Sequence, residues 1–143
     1  MSVAETVSRR SKCVRAQIGA VIVGADQRIV ATGINGAPAG YVPAQDSSTR
    51  CDAFCPRASL TAPGNSYENC VSVHAEMNAI AYADRTRMEG GSLYVTGAIC
   101  WDCAKVVANS GISTVCYKLD RDRSNAEVTR LLVHSGLEVW KVI

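Results

Sequence analysis

Apolar and polar positions change period along this chain, and the changes outline its elements. Residues 17–23 and 28–32 are runs rich in β-branched side chains, joined by Gly24-Ala25-Asp26-Gln27, which predicts an antiparallel hairpin. A helix is predicted ahead of it over about residues 3–12. Beyond Ser72 the pattern alternates: helix over about 74–85, strand 92–96, helix 101–109, strand 113–117, a helix from Ser124 and strand 137–142. Ser124-Asn125-Ala126-Glu127 has the capping-box pattern, and Gly111 and Gly136 stand where the last two helices should close. Strand, helix, strand, helix, strand implies parallel crossovers. With the hairpin added, the expected fold is a three-layer α/β/α sandwich: one mixed five-stranded sheet with helices on both faces.

The regular pattern breaks over about residues 33–72, which hold all four prolines (Pro38, Pro43, Pro56, Pro63) and many Gly, Ser, Asn and Asp residues. The chain thus reads as one domain over residues 1–143 carrying a long irregular insertion. A loop of that length inside a compact domain needs something to hold it and is more often functional than not. Its spacing of Gly33, Gly36 and Gly40 is wrong for a dinucleotide fingerprint, and Pro38 and Pro43 prevent a helix from following.

Composition narrows the function classes. With 48% apolar and 20% charged residues the chain is an ordinary globular one, and its uninterrupted apolar runs, such as Ala20-Val21-Ile22-Val23, fall far short of the roughly 20 residues a membrane span needs. The segment MSVAETVSRRSK lacks the apolar stretch of a secretory signal, so a cytoplasmic protein is expected. A net charge of +2 is too mild for a surface that coats a polynucleotide. Arg9, Arg10, Lys12 and Arg15 cluster, which suits one small anion or simply a solvated helix end.

Seven cysteines are the unusual feature. An odd number in a reducing compartment argues against a disulfide framework and for metal or thiol chemistry. Cys100 and Cys103 open a predicted helix three residues apart, so both sulfurs point to one side, and the helix N-terminus favours their thiolates. His74, opening the preceding helix, supplies a third ligand and leaves a tetrahedral zinc with an open position, the pattern of a catalytic site. Glu76 projects elsewhere on its helix, where it serves as the base rather than as a fourth ligand. His-x-Glu alone and Cys-x-x-Cys alone are weak signals; their conjunction at two helix starts is a strong one. A closed zinc knuckle without turnover would need a fourth ligand from elsewhere.

These residues carry a family resemblance. His74-Ala75-Glu76 with Cys100-Trp101-Asp102-Cys103 is similar to the H-x-E…P-C-x-x-C signature of zinc nucleobase deaminases. More narrowly, Arg10-Ser11-Lys12-Cys13, the run 17–23, and Thr32-Gly33-Ile34-Asn35-Gly36-Ala37-Pro38-Ala39-Gly40 resemble the deoxycytidylate (dCMP) deaminases of bacteria and phages, within the zinc-dependent cytidine and deoxycytidylate deaminase family. The resemblance implies hydrolytic deamination of dCMP to dUMP and ammonia, with Glu76 moving the protons. It sets Asn35 against the sugar, Ala75 against the substrate, and the Lys12–Gln17 segment near the phosphate, with Arg15 preferred over Lys12 for its bidentate geometry. Asn35-Gly36 is also an ordinary turn dipeptide.

The resemblance further implies a second, structural zinc held by Cys13, Cys51, Cys55 and Cys70, which would tie the insertion to the domain; scattered buried thiols are the other reading. Cys116 then reads as a small core residue and His134 as a helix-end residue. A magnesium accompanying a nucleotide effector, and assembly into homo-oligomers (trimer or hexamer), belong to the same implication. The expected partner is a small nucleotide, with no polynucleotide and no membrane. Two departures stand out: Ile99 occupies the position of the signature proline, and residues 118–123 lack the second aromatic that commonly follows the last crossover strand. The first bears on the shape of the base pocket and the second on base stacking or regulation. The rival within the enzyme class is a zinc deaminase of another or modified base: a 5-substituted dCMP, a nucleoside, guanine, or an adenosine in RNA, the last disfavoured by the modest net charge. A non-catalytic zinc module that binds nucleotides is the rival from another class.

Overall fold

The computed structural model describes residues 1–13, 15–41, 70–118 and 126–142. Its elements in chain order are α1 (Ser2–Ser8), β1 (Gly19–Val23), β2 (Ile29–Ile34), α2 (Ala75–Ala81), α3 (Arg85–Met88), β3 (Ser92–Val95), α4 (Trp101–Ala108), β4 (Thr114–Lys118), α5 (Ala126–His134) and β5 (Glu138–Val142). The strands form one sheet in the order β2-β1-β3-β4-β5. β1 runs antiparallel to both neighbours, while β3, β4 and β5 are mutually parallel. The mixed five-stranded sheet expected from the sequence is the one observed. Gln27 closes the β1–β2 hairpin at φ 64, where Gly24 N–H donates to the Arg28 carbonyl at 2.9 Å.

Period-two alternation decides what each strand buries. Ala20 lies opposite Val95 and Ile22 opposite Leu93, and these continue to Tyr117 and Val115 on β4. All six are buried in one cluster with Ala75 and Ala79 of α2, Cys103, Ala104 and Val107 of α4, and Val128 and Leu132 of α5. A fully buried side chain of the size of Leu93 contributes about 2 kcal/mol. The Tyr117 hydroxyl, deep in this layer, finds Thr129 Oγ1 at 3.2 Å.

The opposite face carries the in-register row Val21, Tyr94, Cys116 and Trp140. Here α1 covers the β1 end, and Glu5 pairs with Lys118 of β4. Cys116 corrects the expectation of a core thiol: it is half-buried on this second face, because its neighbours Val115 and Tyr117 take the core side. Trp140 at the sheet edge remains 61% exposed.

Two glycines one register step apart seat the two helix layers. Gly19 pairs with Ile34 and Ala20 with Gly33, so Gly19 and Gly33 face opposite sides of the sheet. A Cβ on Gly19 would collide with the Ala4 carbonyl of α1, and one on Gly33 with the Ala75 carbonyl of α2. Each helix backbone therefore rests directly on a strand backbone.

Several boundaries differ from those expected. α1 stops at Ser8, and the following residues turn through Arg10 N–H to Val7 O and Ser11 N–H to Ser8 O. The helix expected over 74–85 is two: α2 ends at Ala81, and Asp84 opens α3 by accepting from the Arg87 N–H at 3.1 Å. An aspartate that caps a new turn ends the old one. The capping box at Ser124 lies outside the described residues. The base of the long insertion is closed by a two-way backbone bridge, Gly36 N–H to Val73 O at 3.1 Å and Val73 N–H to Gly36 O at 2.8 Å. Among the described residues, no helix is long and apolar enough to cross a membrane.

The seat of α2 is testable. Replacing Gly33 with alanine puts a methyl group 2.5 Å from the Ala79 amide nitrogen and into the Ala75 carbonyl, where only backbone could yield. Urea denaturation should show a loss of about 3 kcal/mol, the upper end of overpacking costs. A loss of less than about 0.5 kcal/mol would mean that α2 does not rest on β2 in this way.

Candidate active site

The site is built where α2 and α4 begin. His74 is the N-cap residue of α2 and Cys100 that of α4, both in extended conformation, and the His74 side chain makes no cap bond to its own helix. Cys100 Sγ accepts from the Cys103 backbone N–H at 3.5 Å and caps α4 with sulfur instead of oxygen. Cys103, in the first turn, then stands beside it. His74 Nδ1 lies 3.4 Å from Cys100 Sγ and 3.3 Å from Cys103 Sγ. Among the described residues, these three form a metal-ligand group, with all three donor atoms within 4.8 Å of one another.

Charge in this cluster is strongly organised. A hydrogen bond from the Cys103 thiol, with help from His74 and the Cys103 backbone N–H, holds the Cys100 thiol down at about 4 against the cost of its burial. The same contact with Cys100, then burial, pushes the Cys103 thiol up. Its bond to Cys100 raises His74, and Glu76 and Asp102 add to that. The cluster thus concentrates anionic sulfur next to an imidazole. A tetrahedral zinc with ordinary Zn–N and Zn–S lengths separates nitrogen from sulfur by about 3.5 Å, close to the spacings found here. Two thiolates and one imidazole fit that ion in chemistry and in spacing.

Glu76 lies beside the ligand group and outside it. Its position in the first turn of α2 leaves it 3% exposed. Burial pushes its carboxyl up to about 7; its own backbone N–H, the charge of His74 and a hydrogen bond with Cys103 pull the other way. A carboxyl held near neutrality is able both to take and to return a proton. Ala75, between His74 and Glu76, is fully buried. His74 and Cys100 also line a cleft with Val73, Met77, Trp101 and Asp102.

The other sequence-assigned residues are placed as follows. Asn35 is 7% exposed at the end of β2. Its Oδ1 accepts from Ser11 Oγ at 2.6 Å and from the Ile18 N–H at 2.8 Å, and its Nδ2 donates to the Ala16 carbonyl at 2.8 Å. The amide that was expected to donate or accept therefore keeps one N–H for any further partner. The Gly36–Val73 bridge joins the Asn35-Gly36 turn to the residue before His74. Lys12 is half-buried and Arg15 exposed in the loop between α1 and β1. Cys13 and Cys70 are half-buried free thiols; Cys51 and Cys55 lie outside the described residues. Ile99 is 1% exposed and belongs to the core cluster, so its side chain packs inward just ahead of Cys100. His134 ends α5, exposed, with Nδ1 2.8 Å from the Arg130 carbonyl.

Sequence reasoning missed two polar residues. Asn78, one turn after His74, donates from Nδ2 to the Ile34 carbonyl at 2.7 Å and pins α2 to the end of β2. Its signals were an amide in mid-helix next to apolar positions and its place in the run His74-Ala75-Glu76-Met77-Asn78-Ala79-Ile80, neither of which named its partner. Ser11 is buried at the centre of the loop network; the motif Arg10-Ser11-Lys12-Cys13 was its signal, but nothing there marked the serine itself as a bonding partner of Asn35.

Residues 1–119 match the cytidine and deoxycytidylate deaminase zinc-binding region. A deoxycytidylate deaminase of Mycobacterium phage D29 is 40% identical over 117 residues, which are 82% of this chain and 89% of that protein. The deoxycytidylate deaminase of Homo sapiens is 33% identical over 146 aligned positions, covering 100% of this chain and 77% of that one. The crystal structure of dCMP deaminase from the cyanophage S-TIM5 in complex with dCMP and dUMP is similar at TM-score 0.72 and 29% identity, covering 99% of this chain and 92% of the other. With the match running through His74, Cys100 and Cys103, the chain belongs to the cytidine and deoxycytidylate deaminase family.

Proposed function

We propose that the chain is a zinc-dependent hydrolase that converts dCMP and water to dUMP and ammonia, as part of pyrimidine deoxynucleotide metabolism. The observation that carries this reading is the His74, Cys100 and Cys103 cluster with a buried carboxyl, Glu76, beside it. Relatives named deoxycytidylate deaminase and the similarity to a structure holding dCMP and dUMP support the substrate.

Zinc, when bound by these three side chains, supplies Lewis acidity that makes water nucleophilic near neutral pH. The protein's own part is proton transfer and orientation. Glu76 removes a proton from the attacking water and delivers it to N3 of the cytosine ring as the C4–O bond forms. It then moves the second proton to the exocyclic nitrogen, the C4–N bond breaks, and ammonia leaves. A carboxyl with its proton affinity raised by burial suits both steps. Ala75 brings buried backbone against the base. Asn35 offers its remaining N–H to the 3′-hydroxyl of the sugar, and Arg15 or Lys12 meets the phosphate. Ile99, packed into the core, gives no reason to prefer a 5-substituted base.

A second, structural zinc on Cys13, Cys51, Cys55 and Cys70 is part of this reading. Its support is that one turn, Asn35-Gly36, is bonded both to Ser11, two residues before Cys13, and to Val73, three residues after Cys70. The family resemblance adds a homo-oligomer, trimeric or hexameric, a magnesium accompanying a nucleotide effector, and a place in the cytoplasm.

Three measurements test the proposal. Glu76→Gln should keep its zinc by elemental analysis while kcat falls by roughly a thousandfold, within the range for losing a general acid–base group; retained turnover would remove Glu76 from this role. Elemental analysis of the unaltered protein should give two equivalents of zinc per chain, and a single equivalent ends the second site. Ammonia release should be faster from dCMP than from deoxycytidine, and the reverse order refutes the monophosphate assignment.

A further inference from the structure

The substrate reading assigns Asn35 one task but leaves open what aims it, since an amide on a rotatable side chain at a strand end has no fixed direction of its own. Its surroundings fix it. The Ile18 backbone N–H can only donate and the Ala16 carbonyl can only accept, so Oδ1 must face Ile18 and Nδ2 must face Ala16. Those two contacts set which end is which. Ser11 adds a hydroxyl 2.6 Å from the same Oδ1 and 2.9 Å from the Asn35 backbone carbonyl. Both residues are buried, at 6% and 7% exposure.

Ser11 is bonded in the other direction too. Its Oγ accepts from the Cys13 N–H at 3.2 Å, and its carbonyl accepts from Gln17 Nε2 at 3.2 Å. One hydroxyl therefore joins the end of β2 to the loop that carries Lys12 and Arg15. The β2 end is in turn fixed to the metal-binding helix by Asn78 and by the Gly36–Val73 bridge. A chain of short contacts runs from the loop through Ser11 to Asn35 and on to His74.

We propose that Ser11 is a positioning residue for substrate binding, holding the Asn35 amide so that its remaining N–H points at the sugar and holding the Lys12–Arg15 loop beside it. This rests on the dCMP reading above. Without the hydroxyl, Oδ1 keeps its bond from Ile18 alone, the Cys13 N–H loses its acceptor, and the amide gains freedom to tilt. Binding of the sugar should weaken, while Glu76 and the metal ligands, on other elements, keep their geometry.

The experiment compares unaltered protein, Ser11→Ala and Ser11→Thr on dCMP and on 2′,3′-dideoxycytidine monophosphate, which lacks the 3′-hydroxyl. Ser11→Ala should raise KM for dCMP roughly five- to tenfold, the worth of a misaligned neutral hydrogen bond, with kcat within about twofold. The penalty should shrink to about twofold or less on the dideoxy substrate, and Ser11→Thr, which keeps the hydroxyl, should recover most of it. An unchanged KM, or an equal penalty on both substrates, overturns the proposal. If Ser11→Ala does not fold, Ser11→Cys, nearly isosteric with a weaker donor, carries the same comparison. Unaltered protein that turns over neither nucleotide overturns the substrate reading and this proposal with it; normal turnover with a flat Ser11→Ala ratio overturns Ser11 alone.

Discussion

The backbone of α2 lies on β2 with no space for a side chain between them, and the active site depends on that seat. Gly33 removes the Cβ that would hold the helix off the strand. Asn78 then bonds the Ile34 carbonyl from α2, and the Gly36–Val73 bridge fastens the segment leading into the helix. Three restraints act on one helix of seven residues. Such a helix has little stability of its own, because few hydrogen bonds follow a costly nucleus. Its tertiary seat keeps His74 and Glu76 in place, and the same seat sets how far Asn35 stands from them.

Within that frame the polar groups of the site are buried with partners. A carboxyl that is 3% exposed would be costly as an isolated anion, and Glu76 meets this by holding its proton to about neutral pH and by lying near His74. Cys100 answers the same problem differently: its sulfur serves as the cap of α4, so the lone pairs that would hold a metal also satisfy a helix N–H. Local structure and ligand chemistry therefore share atoms. Among the described residues, no buried side-chain nitrogen or oxygen lacks a hydrogen-bond partner, which fits a site held rigid before substrate arrives.

The open face of the sheet follows a different logic. Alternation along β3, β4 and β5 sends Leu93, Val115 and Val139 toward the helix layer and Tyr94, Cys116 and Trp140 the other way. Only the short α1 lies over that side among the described residues, seated at Gly19. Reading Cys116 as core treated β4 as buried on both faces. Parallel strands usually are, but coverage is set by helices elsewhere in the chain and is not written in the strand itself.

Strand periodicity, hairpin turn residues and helix-closing glycines were legible in the sequence because each is a local effect of backbone sterics and side-chain direction, and they sufficed for the mixed five-stranded sheet. The grouping of His74, Cys100 and Cys103, with Glu76 beside it, was legible for a related reason: spacings of two and three residues at a helix start dictate which side chains share a side. What stayed hidden depended on residues far apart in the chain. Ser11 and Asn35 are 24 residues apart, and Asn78 and Ile34 are 44 apart, yet these pairs fix the direction of an amide and the height of a helix. The exposure of Cys116 was hidden likewise, decided by which helices reach that face, whereas the break at Asp84 is local, a cap on Arg87 that outweighs the continuing helical pattern. Sequence alone singled out His74, Cys100, Cys103 and Glu76 by spacing and residue type; only the folded chain decided how many hydrogen-bonding atoms Asn35 has left to offer, because its partners Ser11, Ala16 and Ile18 come from the segment leading into β1.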